Sequence, residues 1–208
     1  MHRSTKLPAH GVYAITNGPR ATLIDDVEQA LGGGVVIVQY RDKTNDHARR
    51  RAEASELRDI CYRRDVPLLI NDDVDLAAEI GANGVHLGED DVDIAHARAK
   101  LGSGAIIGVS CYDSIERARD SAARGADYLA FGSFFASPTK PNARHATPAL
   151  LAAARTLDLP LVAIGGITPD NAPALVNAGA DFIAVVSGIF SASDIRQAAQ
   201  RYAALFSK

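Results

Sequence analysis

The chain has no tryptophan, only two cysteines and, at 6%, few aromatic residues of any kind. Without tryptophan, and with so few other aromatics, it offers no platform on which exposed nucleic-acid bases could stack. A formal charge of −3 over 208 residues also leaves no cationic excess to neutralise a phosphate backbone. Cys61 and Cys111 are far apart and in no metal-ligand spacing, which speaks against a disulfide framework and for a reducing compartment. No apolar run approaches the roughly 20 residues that cross a bilayer. The segment from Met1 to His10 is polar, with no apolar centre of the kind a signal peptide carries. The expected setting is the cytoplasm, with neither membrane nor nucleic acid as partner; self-association is left open. Low-complexity stretches and linkers are also missing, so one domain is expected over 1–208, with 1–10 as an N-terminal extension.

What is present is a repeat of short apolar runs, in a chain that is 47% hydrophobic and 23% charged. Runs begin near positions 11, 35, 67, 84, 106, 128, 160 and 182. They read Gly11 to Thr16, Val35 to Gln39, Pro67 to Asn71, Gly84 to Gly88, Ile106 to Ser110, Tyr128 to Phe135, Leu161 to Gly165 and Phe182 to Ser187. Most are continuous rather than alternating, as expected for parallel strands covered on both faces. Between them lie helical patterns such as His47 to Arg64 and Ser114 to Arg124, and Thr168-Pro169-Asp170 reads as a helix start. The phrases Gly81-Ala82-Asn83, Gly125-Ala126-Asp127 and Gly179-Ala180-Asp181 each close a helix and lead into a strand. Eight such units predict an α/β fold, a single (β/α)₈ TIM barrel. The rival, a doubly wound open sheet, lacks the Gly-rich dinucleotide fingerprint after its first strand.

In a barrel the active site forms at the C-terminal strand ends. The second run ends in Gln39-Tyr40-Arg41-Asp42-Lys43. This five-residue segment is the first candidate substrate-binding wall. Gln39, Arg41 and Lys43 alternate, so an amide and two cations share one face, while Tyr40 and Asp42 point outward or pack. A guanidinium fork and a compact ammonium suit a phosphate or diphosphate. Asp72 and Asp91 follow neighbouring strands, and two carboxylates with substrate phosphates are how Mg²⁺ is commonly held. The alternative makes Asp72 and Asp73 caps of a helix near Val74 and Glu89-Asp90-Asp91 a solvated turn. Ser137, Thr139 and Lys140 suit phosphate contacts, or equally a surface loop beside Pro138 and Pro141. Gly165 and Gly166 allow close backbone approach to a phosphate, or form a tight turn. His86 alternates with apolar neighbours and reads as a satisfied interior histidine, Cys61 and Cys111 as buried apolar residues.

Together these phrases resemble the thiamine-phosphate synthase family of barrel enzymes, from about Gly11 to Gly188. The resemblance is carried by Gln39-x-Arg41-x-Lys43, Asn71-Asp72, Gly84-Val-His-Leu-Gly-Glu-Asp-Asp91, Ile107-Gly-Val-Ser110, Thr139-Lys140, Ile164-Gly-Gly-Ile167 and Val185-Val-Ser187. It implies a transferase that joins hydroxymethylpyrimidine diphosphate to hydroxyethylthiazole phosphate, releasing diphosphate. It further implies that Gln39, Arg41, Lys43, Asn71, Ser110 and Lys140 hold the pyrimidine diphosphate, with Arg41, Lys43, Lys140 and Ser110 acting on the reacting end. Asp72 and Asp91 would ligate Mg²⁺, and Ser137, Thr139, Gly166, Val186 and Ser187 would contact the thiazole phosphate. The family pattern Pro-Thr-x-Thr-Lys is replaced here by Ala136-Ser137-Pro138-Thr139-Lys140. Rival readings are a thiazole tautomerase, another phosphate-handling barrel, or a regulatory barrel without turnover. The first needs no diphosphate clamp and no metal pair, and metal-type carboxylates speak against the last.

Overall fold

The eight apolar runs form eight parallel strands that close on themselves. The computed structural model of the chain describes residues 7–88, 93–135 and 145–207. The strands are β1 (Gly11–Ile15), β2 (Val35–Tyr40), β3 (Leu68–Asn71), β4 (Gly84–Leu87), β5 (Ile106–Tyr112), β6 (Tyr128–Phe131), β7 (Leu161–Ile164) and β8 (Phe182–Val185). Each pairs in parallel with the next, and β8 returns to β1 through Gly11↔Phe182 to Ala14↔Val185. Among the described residues the helices are α1 (Leu23–Gly32), α2 (His47–Arg63), α3 (Val74–Ile80), α4 (Ile94–Leu101), α5 (Ile115–Ala123), α6 (Pro148–Ala154), α7 (Ala172–Asn177), α8 (Ser187–Phe190) and α9 (Ile195–Ala203). This is a (β/α)₈ barrel.

Strand alternation divides the core in two. Tyr13, Ile37, Leu69, Ile106, Tyr128, Val162 and Phe182 point into the barrel and fill it. Their neighbours, among them Val12, Val38, Leu68, Val85, Ile107, Leu129, Leu161 and Ile183, point out and pack under the helices. Because both faces are covered, the strands read as continuous apolar runs. Burying each such aliphatic side chain contributes about 1.5–3 kcal/mol.

The recurring Gly-Ala-Asn/Asp phrase has one structural job in all three places. Gly81, Gly125 and Gly179 take left-handed φ values of +68°, +91° and +109°. The next residue donates back five positions, Ala82 to Ala77, Ala126 to Ser121 and Ala180 to Leu175, which closes the helix end. The Asn or Asp then grips the preceding strand twice. Its backbone N–H reaches the carbonyl of Leu68, Ile107 or Leu161. Its side-chain oxygen accepts the N–H of the same residue, at 3.0 Å for Asn83, 2.7 Å for Asp127 and 2.8 Å for Asp181.

Two element boundaries depart furthest from the sequence reading. β6 ends at Phe131 rather than Phe135. Beyond Phe131, Phe134 and Phe135 still donate to Ile164 and Gly165, outside the regular ladder, and Ser133 Oγ donates to the Phe135 carbonyl. The helix expected at Thr168 starts at Ala172. Thr168 and Asn171 bond each other's backbone N–H through their side chains, which holds residues 168–171 as a turn.

Candidate active site

Four polar side chains enter the barrel from consecutive strand ends. Gln39 follows the inward Ile37 by two residues, Asn71 follows Leu69, His86 sits beside Asn71 in register, and Ser110 follows Ile106 by four. All four therefore face inward at the C-terminal mouth. Gln39 and His86 are buried, and Asn71 and Ser110 are half-buried where the mouth opens. Gln39 Nε2 donates to Tyr13 Oη at 2.5 Å, Tyr13 Oη lies 2.8 Å from Tyr128 Oη, and Tyr128 Oη lies 2.8 Å from His86 Nδ1. His86 Nε2 is 2.9 Å from Ser110 Oγ. Burial pushes the Tyr13 and Tyr128 phenols far up, so both stay protonated. His86 is thus bonded through both nitrogens, as a satisfied interior histidine, and its ring stacks on that of Tyr128.

Beyond β2 the chain keeps its alternation. Arg41 is half-buried and makes no ion pair among the described residues; Lys43 is exposed, with Nζ 3.6 Å from Asp72 Oδ2. Tyr40 and Asp42 face the helices and not the mouth. Tyr40 Oη donates to Glu53 of α2 at 2.6 Å. Asp42 Oδ2 accepts from Arg49 at 2.7 Å, and its Oδ1 accepts the Thr44 N–H. Burial pushes the Asp42 carboxyl upward, but the Thr44 and Arg49 bonds outweigh it and hold the group below the ordinary carboxylate range. These side chains pin the segment that carries Arg41 and Lys43 onto α2.

Asp72 is half-buried and has a left-handed φ of +62°. Its backbone N–H donates to His86 O across the β3–β4 seam, and its Oδ2 accepts from Asn71 Nδ2 at 2.5 Å. Asp73 takes the capping role instead: its side chain accepts from Leu76 N and pairs with Arg50. Among the described residues no three His, Cys, Asp or Glu side chains gather as a metal centre, and Asp72 offers one hard carboxylate oxygen at the mouth, so Mg²⁺ there would take its other oxygens from substrate phosphates and water. Asp91, Ser137, Thr139 and Lys140 lie outside the described residues.

Across the mouth, Gly165 and Gly166 follow β7 with φ of +105° and +63°. A Cβ on Gly165 would lie 2.1 Å from Ser133 Oγ, so the close pass of the chain after β6 requires glycine there. The Gly166 carbonyl accepts from Asn171 Nδ2 at 3.1 Å. Val186 and the exposed Ser187 leave β8 next to them and start α8.

Two positioning side chains were not singled out from the sequence. Thr16, fully buried after β1, accepts the Arg41 N–H at 2.8 Å and donates to the Arg41 carbonyl at 3.2 Å. Arg117 of α5 donates to the Ser110 carbonyl at 2.7 Å and to the Gly88 carbonyl at 2.8 Å, tying the ends of β5 and β4 together. A hydroxyl at a strand end hints at the first; nothing local marks the second.

A family model described as thiamine monophosphate synthase matches residues 12–189. A thiamine-phosphate synthase of Xanthomonas campestris is 55% identical over 201 residues, covering 96% of this chain and 97% of that one. One from Thiobacillus denitrificans is 54% identical over 199 residues, covering 94% of each. Among solved structures, a thiamine phosphate pyrophosphorylase from Pyrococcus furiosus superposes with a TM-score of 0.85 at 32% identity, covering 95% of each chain. Sequence and barrel geometry agree, and the chain belongs to the thiamine monophosphate synthase family.

Proposed function

We propose that this barrel joins hydroxymethylpyrimidine diphosphate to hydroxyethylthiazole phosphate, giving thiamine phosphate and diphosphate, as a cytoplasmic step of thiamine biosynthesis. The observation that carries the assignment of roles is the convergence of Gln39, Asn71 and Ser110 on one mouth beside Arg41, Lys43 and Asp72. Gln39, Asn71 and Ser110 hold the pyrimidine, while Arg41, Lys43 and Lys140 hold its diphosphate. Gly166, Val186 and Ser187, with Gly165 shaping the turn, receive the thiazole phosphate on the opposite side, and Ser137 and Thr139 are assigned to the same phosphate by the family resemblance. In the reaction the methylene C–O bond breaks and its electron pair leaves on the diphosphate oxygen. The thiazole nitrogen supplies the lone pair for the new C–N bond.

No covalent nucleophile is needed. The cations stabilise charge that grows on the leaving oxygen, so they bind the transition state more tightly than the ground state. Asp72 and Asp91 would hold Mg²⁺, which when bound neutralises diphosphate charge. The remaining work of the side chains is to align the two substrates and keep water from the cation-like methylene.

Purified protein incubated with both half-substrates and Mg²⁺ should release thiamine phosphate and diphosphate one for one. Absence of product under conditions where a relative turns over overturns the reading. Asp91→Ala should lower turnover about 100-fold and change the Mg²⁺ titration, by the scale typical of a lost charge-stabilising group. Arg41→Ala should impair use of the pyrimidine diphosphate more than thiazole-phosphate binding, and equal losses contradict its role.

A further inference from the structure

The buried hydrogen-bond chain beneath the mouth has one consistent direction. The side-chain nitrogen of Gln39 can only donate in its contact with Tyr13 Oη. The Tyr13 proton then belongs to Tyr128 Oη, 2.8 Å away, because the reverse bond strands a buried O–H without an acceptor among the described residues. Tyr128, having accepted, gives its own proton to His86 Nδ1. An imidazole that accepts on Nδ1 carries its proton on Nε2, which donates to Ser110 Oγ. The Ser110 hydroxyl has then accepted, and its own proton is left for the mouth.

We propose that Gln39–Tyr13–Tyr128–His86–Ser110 is a one-directional relay that fixes His86 as the Nε2–H tautomer and makes Ser110 an obligate hydrogen-bond donor to the substrate. Tyr13, Tyr128 and His86 are its positioning residues. A separate observation supports it. A Cβ on Gly108 would lie 1.9 Å from Tyr128 Cζ and 2.3 Å from its Oη, so β5 omits a side chain where the phenol crosses the barrel. Five strands, β2, β1, β6, β4 and β5, contribute one residue each to the relay. The relay rests on the proposed reaction only for its ligand, a hydrogen-bond acceptor on the pyrimidine diphosphate.

The tautomer is read directly by two-bond ¹⁵N–¹H correlation on the full chain labelled with ¹⁵N-histidine, with His86→Gln assigning the signal. The wild type should show the proton on Nε2, and an Nδ1–H signal overturns the relay even if no variant folds. Tyr128→Phe removes the proton that Nδ1 accepts and should give a tautomer mixture. Its kcat/KM for the pyrimidine diphosphate should fall about 10-fold, the scale of one lost oriented hydrogen bond, with KM for the thiazole phosphate unchanged. Gly108→Ala should shift the tautomer likewise with the phenol still present. An unchanged tautomer in both variants, or equal losses on both substrates, overturns the proposal. A wild type that shows Nε2–H but forms no thiamine phosphate overturns the reaction reading and not the relay, so the two failures are distinguishable.

Discussion

Thr16 does for the backbone of Arg41 what a neighbouring strand would do one residue earlier. β2 ends at Tyr40, yet Arg41 must be held if its guanidinium is to meet a diphosphate at a defined place. The Thr16 hydroxyl accepts the Arg41 N–H and donates to its carbonyl, from a fully buried position. Valine has nearly the same shape but no hydroxyl, so Thr16→Val leaves the Arg41 N–H without that partner, while the Arg41 carbonyl keeps the Gly18 N–H. The expected loss is about 1–3 kcal/mol, the cost of one unsatisfied donor. A denaturant titration checks the stability, and a raised KM for the pyrimidine diphosphate with little change for the thiazole phosphate checks the placement of Arg41. Serine at this position retains the hydroxyl and should recover most of the activity.

At the scale of elements, the β2–α2 connection is held by charge as well as by packing. Asp42 is the centre, with the Thr44 N–H on one oxygen and Arg49 on the other, and Arg49 also pairs with Glu53. The Asp42 carboxyl titrates below its ordinary 3.8 in the folded chain. A folded value below the unfolded one means the stabilisation is present above 3.8 and is lost as pH falls through the lower folded value. Asp42→Ala should therefore destabilise the chain at neutral pH, by about 1–3 kcal/mol, with the gap closing below about pH 4. Urea midpoints of both proteins across pH 3–7 measure it, and a gap that persists unchanged in acid contradicts the assignment.

The same scale explains what was legible in the sequence. Strand starts expected at 11, 35, 67, 84, 106, 128, 160 and 182 all fall within one residue of those observed, because two-sided burial writes each strand as a compact apolar run. The inward Gln39, Asn71 and Ser110 were legible for the complementary reason: each is a polar residue interrupting such a run at its C-terminal end. Tyr13 and Tyr128 were not. Within their own strands they read as apolar, and their hydroxyls meet only after closure brings together residues 115 positions apart. The late start of α7 was hidden similarly, since Thr168 and Asn171 cap each other rather than the helix.

At the scale of the whole molecule, the end of the chain returns to the barrel and supports the Gly165–Gly166 side of the mouth. β8 pairs with β1 to complete the ring, and α9 packs against α1 beside it. From α9, the buried Tyr202 sends its hydroxyl to the Ile167 carbonyl at 3.0 Å, directly after the Gly165–Gly166 turn. Gly188 makes room for it, since a Cβ there would lie 2.3 Å from Tyr202 Oη. A single phenol thus joins the last long helix, the exit of β7 and the start of α8, which together carry Gly166, Val186 and Ser187. Tyr202→Phe keeps the ring and removes only the donor, so the stability loss should be modest, about 0.5–1.5 kcal/mol. Its kinetic effect should fall on the other substrate from that of Thr16→Val: KM for the thiazole phosphate rises several-fold, while KM for the pyrimidine diphosphate holds. Steady-state kinetics with each substrate varied in turn tests both variants in one design. Two opposite selectivities would locate the two phosphate groups on opposite sides of the barrel mouth, and matching selectivities would refute that arrangement.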